Sequence, residues 1–157
     1  MKKVAVLQSN YIPWKGYFDI IHDVDLFIFH DDLQYTKNDW RNRNKIMTAD
    51  GLKWLTIPVG TDEHRLICEV KIPNRECLKK HYQILKMAYG KCPYFGLYDD
   101  FLRFVYLEKE WIYLYELNRY MIQTIAKDFL GIHTEFADSR EFSCSGVKHE
   151  KLLTMLK

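Results

Sequence analysis

The chain has 157 residues, 48% hydrophobic and 15% aromatic, enough apolar material for one sizeable core and too much for an intrinsically disordered protein. Its 23 basic and 21 acidic residues leave a formal net charge of only +2, so global charge offers neither nucleic acid nor a membrane a long-range attraction. No apolar stretch reaches the roughly 20 residues that a helical membrane span requires, and Met1-Lys2-Lys3 leads into a short apolar run, so a cytoplasmic location is expected.

In chain order, Val4–Gln8 and Leu26–His30 are short β-rich runs joined by Gly16–Asp23, which is long enough for about two helical turns. Strand, helix, strand predicts a parallel crossover, with Gln8–Lys15 and Asp31–Lys45 on one rim at the carboxyl ends of the strands. Arg43–Thr48 and Lys53–Val59 flank Ala49-Asp50-Gly51, and Asp-Gly predicts a β-hairpin. Ile67–Ile72 alternates apolar and charged residues as a further half-buried strand would. Helical spacing then runs through Arg75–Tyr89, Tyr94–Tyr106 and about Lys109–Leu130, where Trp111, Leu114, Tyr115, Met121 and Ile122 form a stripe read as core. Ile132–Phe136 is a candidate third parallel strand, followed by a turn at Asp138-Ser139-Arg140 and a last helix from about Val147. The expectation is one α/β domain over residues 1–157, with a small parallel sheet core, a β-hairpin extension and a mostly helical C-terminal half.

The chemistry clusters after the first two strands. Asp31 and Asp32 follow an apolar run, where a carboxylate can act as a base or bind a ribose hydroxyl; capping and turn formation explain them equally well. Successive residues of an extended chain point opposite ways, so Asp32 is favoured on the side shared with His30 and Gln34. Lys37, Arg41, Arg43 and Lys45 stand against Asp39 alone, with Asn38, Asn42 and Asn44 between them. Cations neutralise phosphate or carboxylate and amides address sugar hydroxyls, so an anionic small molecule such as a nucleotide-sugar or uronic acid fits better than an apolar ligand. A solvated, turn-rich loop would show the same composition. Gln8, Asn10 and Tyr11 are further candidate binders at the first strand end, with Tyr35 on the second, while His81 sits on an apolar helical stripe, where a histidine is more often core than catalyst. Cys68, Cys77, Cys92 and Cys144 lack C-x-x-C spacing and the histidines lack ligand spacing, so no structural metal or disulfide is expected.

Asn10-Tyr11-Ile12-Pro13-Trp14-Lys15-Gly16-Tyr17-Phe18 and Asp31-Asp32-Leu33-Gln34-Tyr35-Thr36-Lys37-Asn38-Asp39-Trp40-Arg41-Asn42-Arg43-Asn44 resemble two elements of the WbqC-like protein family. Weaker similarity continues through Trp54–Val59, Lys79-Lys80-His81 and Pro93-Tyr94-Phe95. The resemblance implies a protein of bacterial surface-polysaccharide (O-antigen) clusters, a proposed transferase that adds an acyl or aminoacyl group such as glycine to a sugar. It raises the standing of His81 as a second catalytic candidate beside Asp32. Two departures are visible: family members usually carry His-Gln-Pro where this chain has Leu7-Gln8-Ser9, and they run beyond the equivalent of Lys157, so a truncated member is expected.

Two functions follow. The first is a transferase in which Lys37 and Arg43 hold anionic groups and Asp32 or His81 handles protons, with Mg²⁺ accompanying a phosphorylated donor. The alternative is a non-catalytic nucleotide or nucleotide-sugar binding module with a nucleotidyltransferase-like fold. The glycine at Gly16 sits where such folds carry H-x-G-H, but Trp14-Lys15-Gly16-Tyr17 lacks both histidines, leaving a fold analogy alone. Basic residues confined to one loop make nucleic acid the least expected partner, and aromatics at an edge would favour a homodimer.

Overall fold

Val4–Leu7 (β1) and Leu26–Phe29 (β2) pair in parallel, from Val4 against Leu26 to Leu7 against Phe29. The structure, a computed structural model, describes residues 2–142. The crossover helix, Lys15–His22 (α1), buries Tyr17 and Ile21, one turn apart, against the sheet. Glu135–Asp138 (β5) returns late in the chain to pair with β2, also in parallel, giving the order β1-β2-β5. This register sets Leu7, Phe29 and Asp138 in one row, so the chain leaves all three strands at the same edge.

Between these strands lie the hairpin and the helices. Arg43–Thr48 (β3) and Gly51–Thr56 (β4) form the expected antiparallel hairpin, with Gly51 at φ 101°, a conformation that side chains resist. Ile67–Ile72 is a correction to the expected strand. Ile67–Glu69 is a 3₁₀ turn, closed by Glu69 accepting from the Leu66 amide at 2.7 Å. The amides of Ile67 and Cys68 donate to Leu33 and Asp31 carbonyls, and the buried pair is Ile67 and Val70, three apart as a 3₁₀ turn requires.

Glu76–Tyr89 (α2) and Phe95–Arg103 (α3) lie where helical spacing placed them, α3 passing into a π turn at Phe104–Glu108. The long helix starts later than expected, as Leu114–Thr124 (α4) followed by a π turn at Ile125–Phe129. The segment before it is extended because the Ile72 amide donates to Ile112 and the Leu114 amide to Val70. The expected last helix from Val147 lies outside the described residues. The larger core packs α2 and α4 against the hairpin, and the smaller packs α1 and α4 against the parallel sheet. Among the described residues no helix is long and apolar enough to cross a membrane.

Candidate functional site

The common edge of the parallel sheet gathers the charged groups. After β1, the buried Ser9 donates its amide to Asp31 Oδ1 at 2.8 Å, and the Gln8 carbonyl accepts from the Tyr17 hydroxyl at 2.9 Å. Arg41 reaches back to the same turn, donating Nη2 to Gln8 Oε1 at 2.7 Å and Nη1 to Asn10 Oδ1. Just beyond, Ile12 has φ 47°, a left-handed conformation that costs a β-branched residue about 1–3 kcal/mol. The Asn44 amide, donating to the Ile12 carbonyl, and the Tyr11 amide, donating to the Trp40 carbonyl at 2.9 Å, hold the turn in that shape.

The two carboxylates after β2 diverge, as alternation on an extended chain requires. Asp31 is fully buried and takes Arg119 Nε at 2.7 Å on its second oxygen. Asp32 accepts from the Ser139 hydroxyl and stands 3.4 Å from His30 Nε2. Gln34, expected on that side, is exposed and donates to the Glu63 carbonyl instead.

The third strand end contributes groups that were not singled out from the sequence. Asp138 accepts from Arg119 Nη1 and from Arg140 Nη2, the latter at 2.6 Å. Burial opposes its ionised form, but the hydrogen bonds from Arg140 and Arg119 outweigh this and hold its carboxyl well below the usual range. Arg119 also lies over the rings of Phe29 and Tyr115, at 4.9 and 5.0 Å from their centroids, and Arg140 shares the Tyr115 ring. Tyr115, read as core from its helical spacing, is therefore half-buried among guanidiniums.

Around Asp31 several buried groups lack a protein partner among the described residues: the Ser9 hydroxyl, Arg41 Nε and Arg119 Nη2. Tyr17 reports their proximity: burial raises its phenol pKa, and it senses the charges of Asp31, Arg41 and Arg119 together. A groove of about 590 Å³ runs along α4, lined by Trp111, Tyr115, Arg119, Tyr120 and Gln123, so Arg119 has Asp31 on one side and open space on the other. No cluster of three or more His, Cys, Asp or Glu side chains that could hold a metal ion occurs among the described residues.

Residues 8–157 match the WbqC-like protein family. This chain belongs to that family. A relative, the uncharacterised protein Rv1507c of Mycobacterium tuberculosis (strain ATCC 25618 / H37Rv), is 44% identical over 157 residues, which span 99% of this chain and 68% of the relative. No solved structure matches.

Within this WbqC-like chain the polar residues of the two family elements divide between the edge and the scaffold. At the strand-end edge Gln8 and Asn10 both accept from Arg41 and Asp31 accepts from the Ser9 amide, while Asp32 diverges toward Ser139 and His30. Asn42 and Asn44 serve the backbone, donating to the carbonyls of Ile57 and Ile12. Lys37 pairs with Glu63 at 3.5 Å, and Tyr35 is buried beneath Arg65. Asn38, at φ 61°, accepts from Arg43 through both its carbonyl and its side chain. Tyr11 and His81 lie in the larger core, with the Tyr11 hydroxyl 2.8 Å from His81 Nδ1 and 2.9 Å from the Tyr106 hydroxyl. Burial lowers the His81 pKa to about 4, against a hydrogen bond to the Thr56 backbone that raises it, so the ring is neutral near pH 7. A neutral ring donating to Thr56 must accept at Nδ1; Tyr11 therefore donates to His81, and Tyr106 donates to Tyr11.

Proposed function

We propose that the protein is a transferase of bacterial surface-polysaccharide assembly, working at the carboxyl ends of β1, β2 and β5 on an anionic, activated sugar or acyl donor. The observation that carries this reading is the set of partnerless buried donors at the strand ends, Ser9 Oγ, Arg41 Nε and Arg119 Nη2, of which Arg119 also lines the groove of about 590 Å³. A carboxylate or phosphate is the ligand class that such donors satisfy, and an exit edge of parallel strands is where open α/β sheets bind ligands. Anion binding moves from Lys37 and Arg43 to Arg41 and Arg119, because of these four only Arg41 and Arg119 carry a buried N–H group without a partner among the described residues. The proton is assigned to Asp32, because His81 lies in the core with its ring engaged by Tyr11 and the Thr56 backbone.

In the proposed step an acceptor hydroxyl attacks the activated carbon of the donor and gives its proton to Asp32. The new carbon–oxygen bond forms as the bond to the leaving group breaks. The leaving group departs with its electron pair as an anion, toward the guanidiniums of Arg41 and Arg119. Ser139, donating to Asp32, fixes the orientation of the base.

A second reading, a binding module without chemistry, is favoured by one feature: Asp31 and Asp138 are both already engaged by arginines. Thermal melts across nucleotide-sugars, nucleotides, uronic acids and amino acids test both. A ligand at 100 times its dissociation constant should add about 2.7 kcal/mol. A shift with an anionic ligand that Arg41→Ala abolishes supports the site, and product formation with that ligand separates transferase from binder. A shift that Arg41→Ala leaves intact would sink the assignment.

A further inference from the structure

The outer face of the β3–β4 hairpin carries six side chains that the strand-end site leaves unused. Pairing sets Arg43 opposite Thr56, Lys45 opposite Trp54 and Met47 opposite Leu52. These alternate along each strand with the buried Ile46 and Leu55, so all six lie on the face turned away from the core. Met47 is 59% exposed, Leu52 65% and Trp54 43%; Trp40, 48% exposed, stacks on Trp54 with centroids 5.9 Å apart. The Arg43 guanidinium and the Lys45 ammonium lie 4.6 and 4.7 Å from the Trp54 centroid. No ion pair among the described residues involves Arg43, Lys45 or Lys53.

We propose that this hairpin face docks the protein on an anionic phospholipid surface. Each part of the face has a place there. Indoles settle at headgroup level, Met47 and Leu52 enter the acyl boundary, and the cations gathered over the Trp54 ring reach lipid phosphates. Charge selects this occupant over a second copy of the chain, since a twofold contact through this face would gather two copies of Arg43 and Lys45 in one interface with no carboxylate among its six side chains to offset them. A soluble acidic sugar chain would use the indoles and the cations but leave Met47 and Leu52 in water. Asp50, the turn carboxylate, stands at the far end of the hairpin, so contact is face-on rather than tip-first. Binding of this kind lies on a bilayer and needs no spanning helix.

The test is co-sedimentation of the full chain with vesicles of phosphatidylglycerol mixed with phosphatidylcholine, and with phosphatidylcholine alone. The expected result is binding to the anionic vesicles only, weakened by salt, with a blue shift of tryptophan emission. Lys45→Ala should lower the partition coefficient about fivefold and Lys45→Glu about 25-fold. Leu52→Asp should abolish binding while circular dichroism shows an intact fold, and the Lys45 variants keep the test decisive if that protein fails to fold. The proposal is overturned by a chain that ignores anionic vesicles, or by binding that all three variants leave unchanged. It is equally overturned if a soluble acidic polysaccharide is bound through Lys45 while vesicles are ignored, or if Leu52→Asp dissolves a lipid-free dimer.

Discussion

Arg119 Nε donates to Asp31 Oδ2 at 2.7 Å, joining the middle of α4 to the end of β2 across 88 residues of chain. Asp31 is fully buried, so its charge depends on this guanidinium and on the Ser9 amide. Arg119→Met should therefore cost about 3–5 kcal/mol, the penalty for leaving a buried charge unpaired. Urea unfolding measures this, and adding Asp31→Asn should recover part of the loss; a cost below about 1 kcal/mol would mean that solvent already screens the pair.

Asp32 separates from Asp31 in consequence. Its amide replacement keeps an acceptor for Ser139, so Asp32→Asn should melt close to the parent protein. With an identified donor and acceptor, ligand stabilisation should persist while turnover falls by about 100-fold or more, the usual contribution of a positioned base. Turnover within tenfold of the parent would remove the proton from Asp32.

His81 predicts a pH dependence of stability. Its ring titrates at 6.5 when unconstrained and at about 4 in the folded protein, so between these values the unfolded chain binds a proton that the folded chain refuses. This stabilisation is complete above pH 6.5 and is lost as pH falls toward 4, by up to about 3 kcal/mol. His81→Gln should flatten that part of the curve in denaturant titrations at stepped pH. An unchanged slope would assign the acid sensitivity elsewhere.

The relay from Tyr106 through Tyr11 to His81 predicts unequal effects from two similar substitutions. Tyr106→Phe deletes the first donor and leaves the Tyr11–His81 bond in place, a loss of about 1 kcal/mol. Tyr11→Phe leaves both His81 Nδ1 and the Tyr106 hydroxyl buried without a partner and should cost about 2–4 kcal/mol. Equal costs in equilibrium unfolding would contradict the place of Tyr11 at the centre of the relay.

The crossover and the hairpin were legible because their signals are local: two apolar runs at crossover spacing, and Asp50-Gly51 at a turn where Gly51 has positive φ. The third strand was legible with an offset. It lies at Glu135–Asp138 because the Ile132 amide is drawn to the Ala126 carbonyl and the Glu135 amide to Asp25. That shift turns Asp138-Ser139-Arg140 from an ordinary turn into part of the charged edge, which the rule used for the first two strands would have found. Arg119 had no such signal. An arginine in an amphipathic helix reads as surface, and its partners Asp31 and Asp138 are distant in sequence. Asn42 and Asn44 were ambiguous in principle, since an amide that fastens a carbonyl looks the same in sequence as one that awaits a sugar. Net charge likewise hid the hairpin face, because acidic residues elsewhere offset its cations in the total of +2.

Helix α4 sends Leu114, Leu117 and Met121 into the larger core and contributes Ile122 to the smaller one, which Ala126 just beyond the helix joins. Its amide protons can meet solvent only when both cores part, so it should be the slowest segment to exchange deuterium and should set the limit of the global unfolding free energy. The two cores then unfold as one cooperative unit, because neither can release the wall it shares with the other.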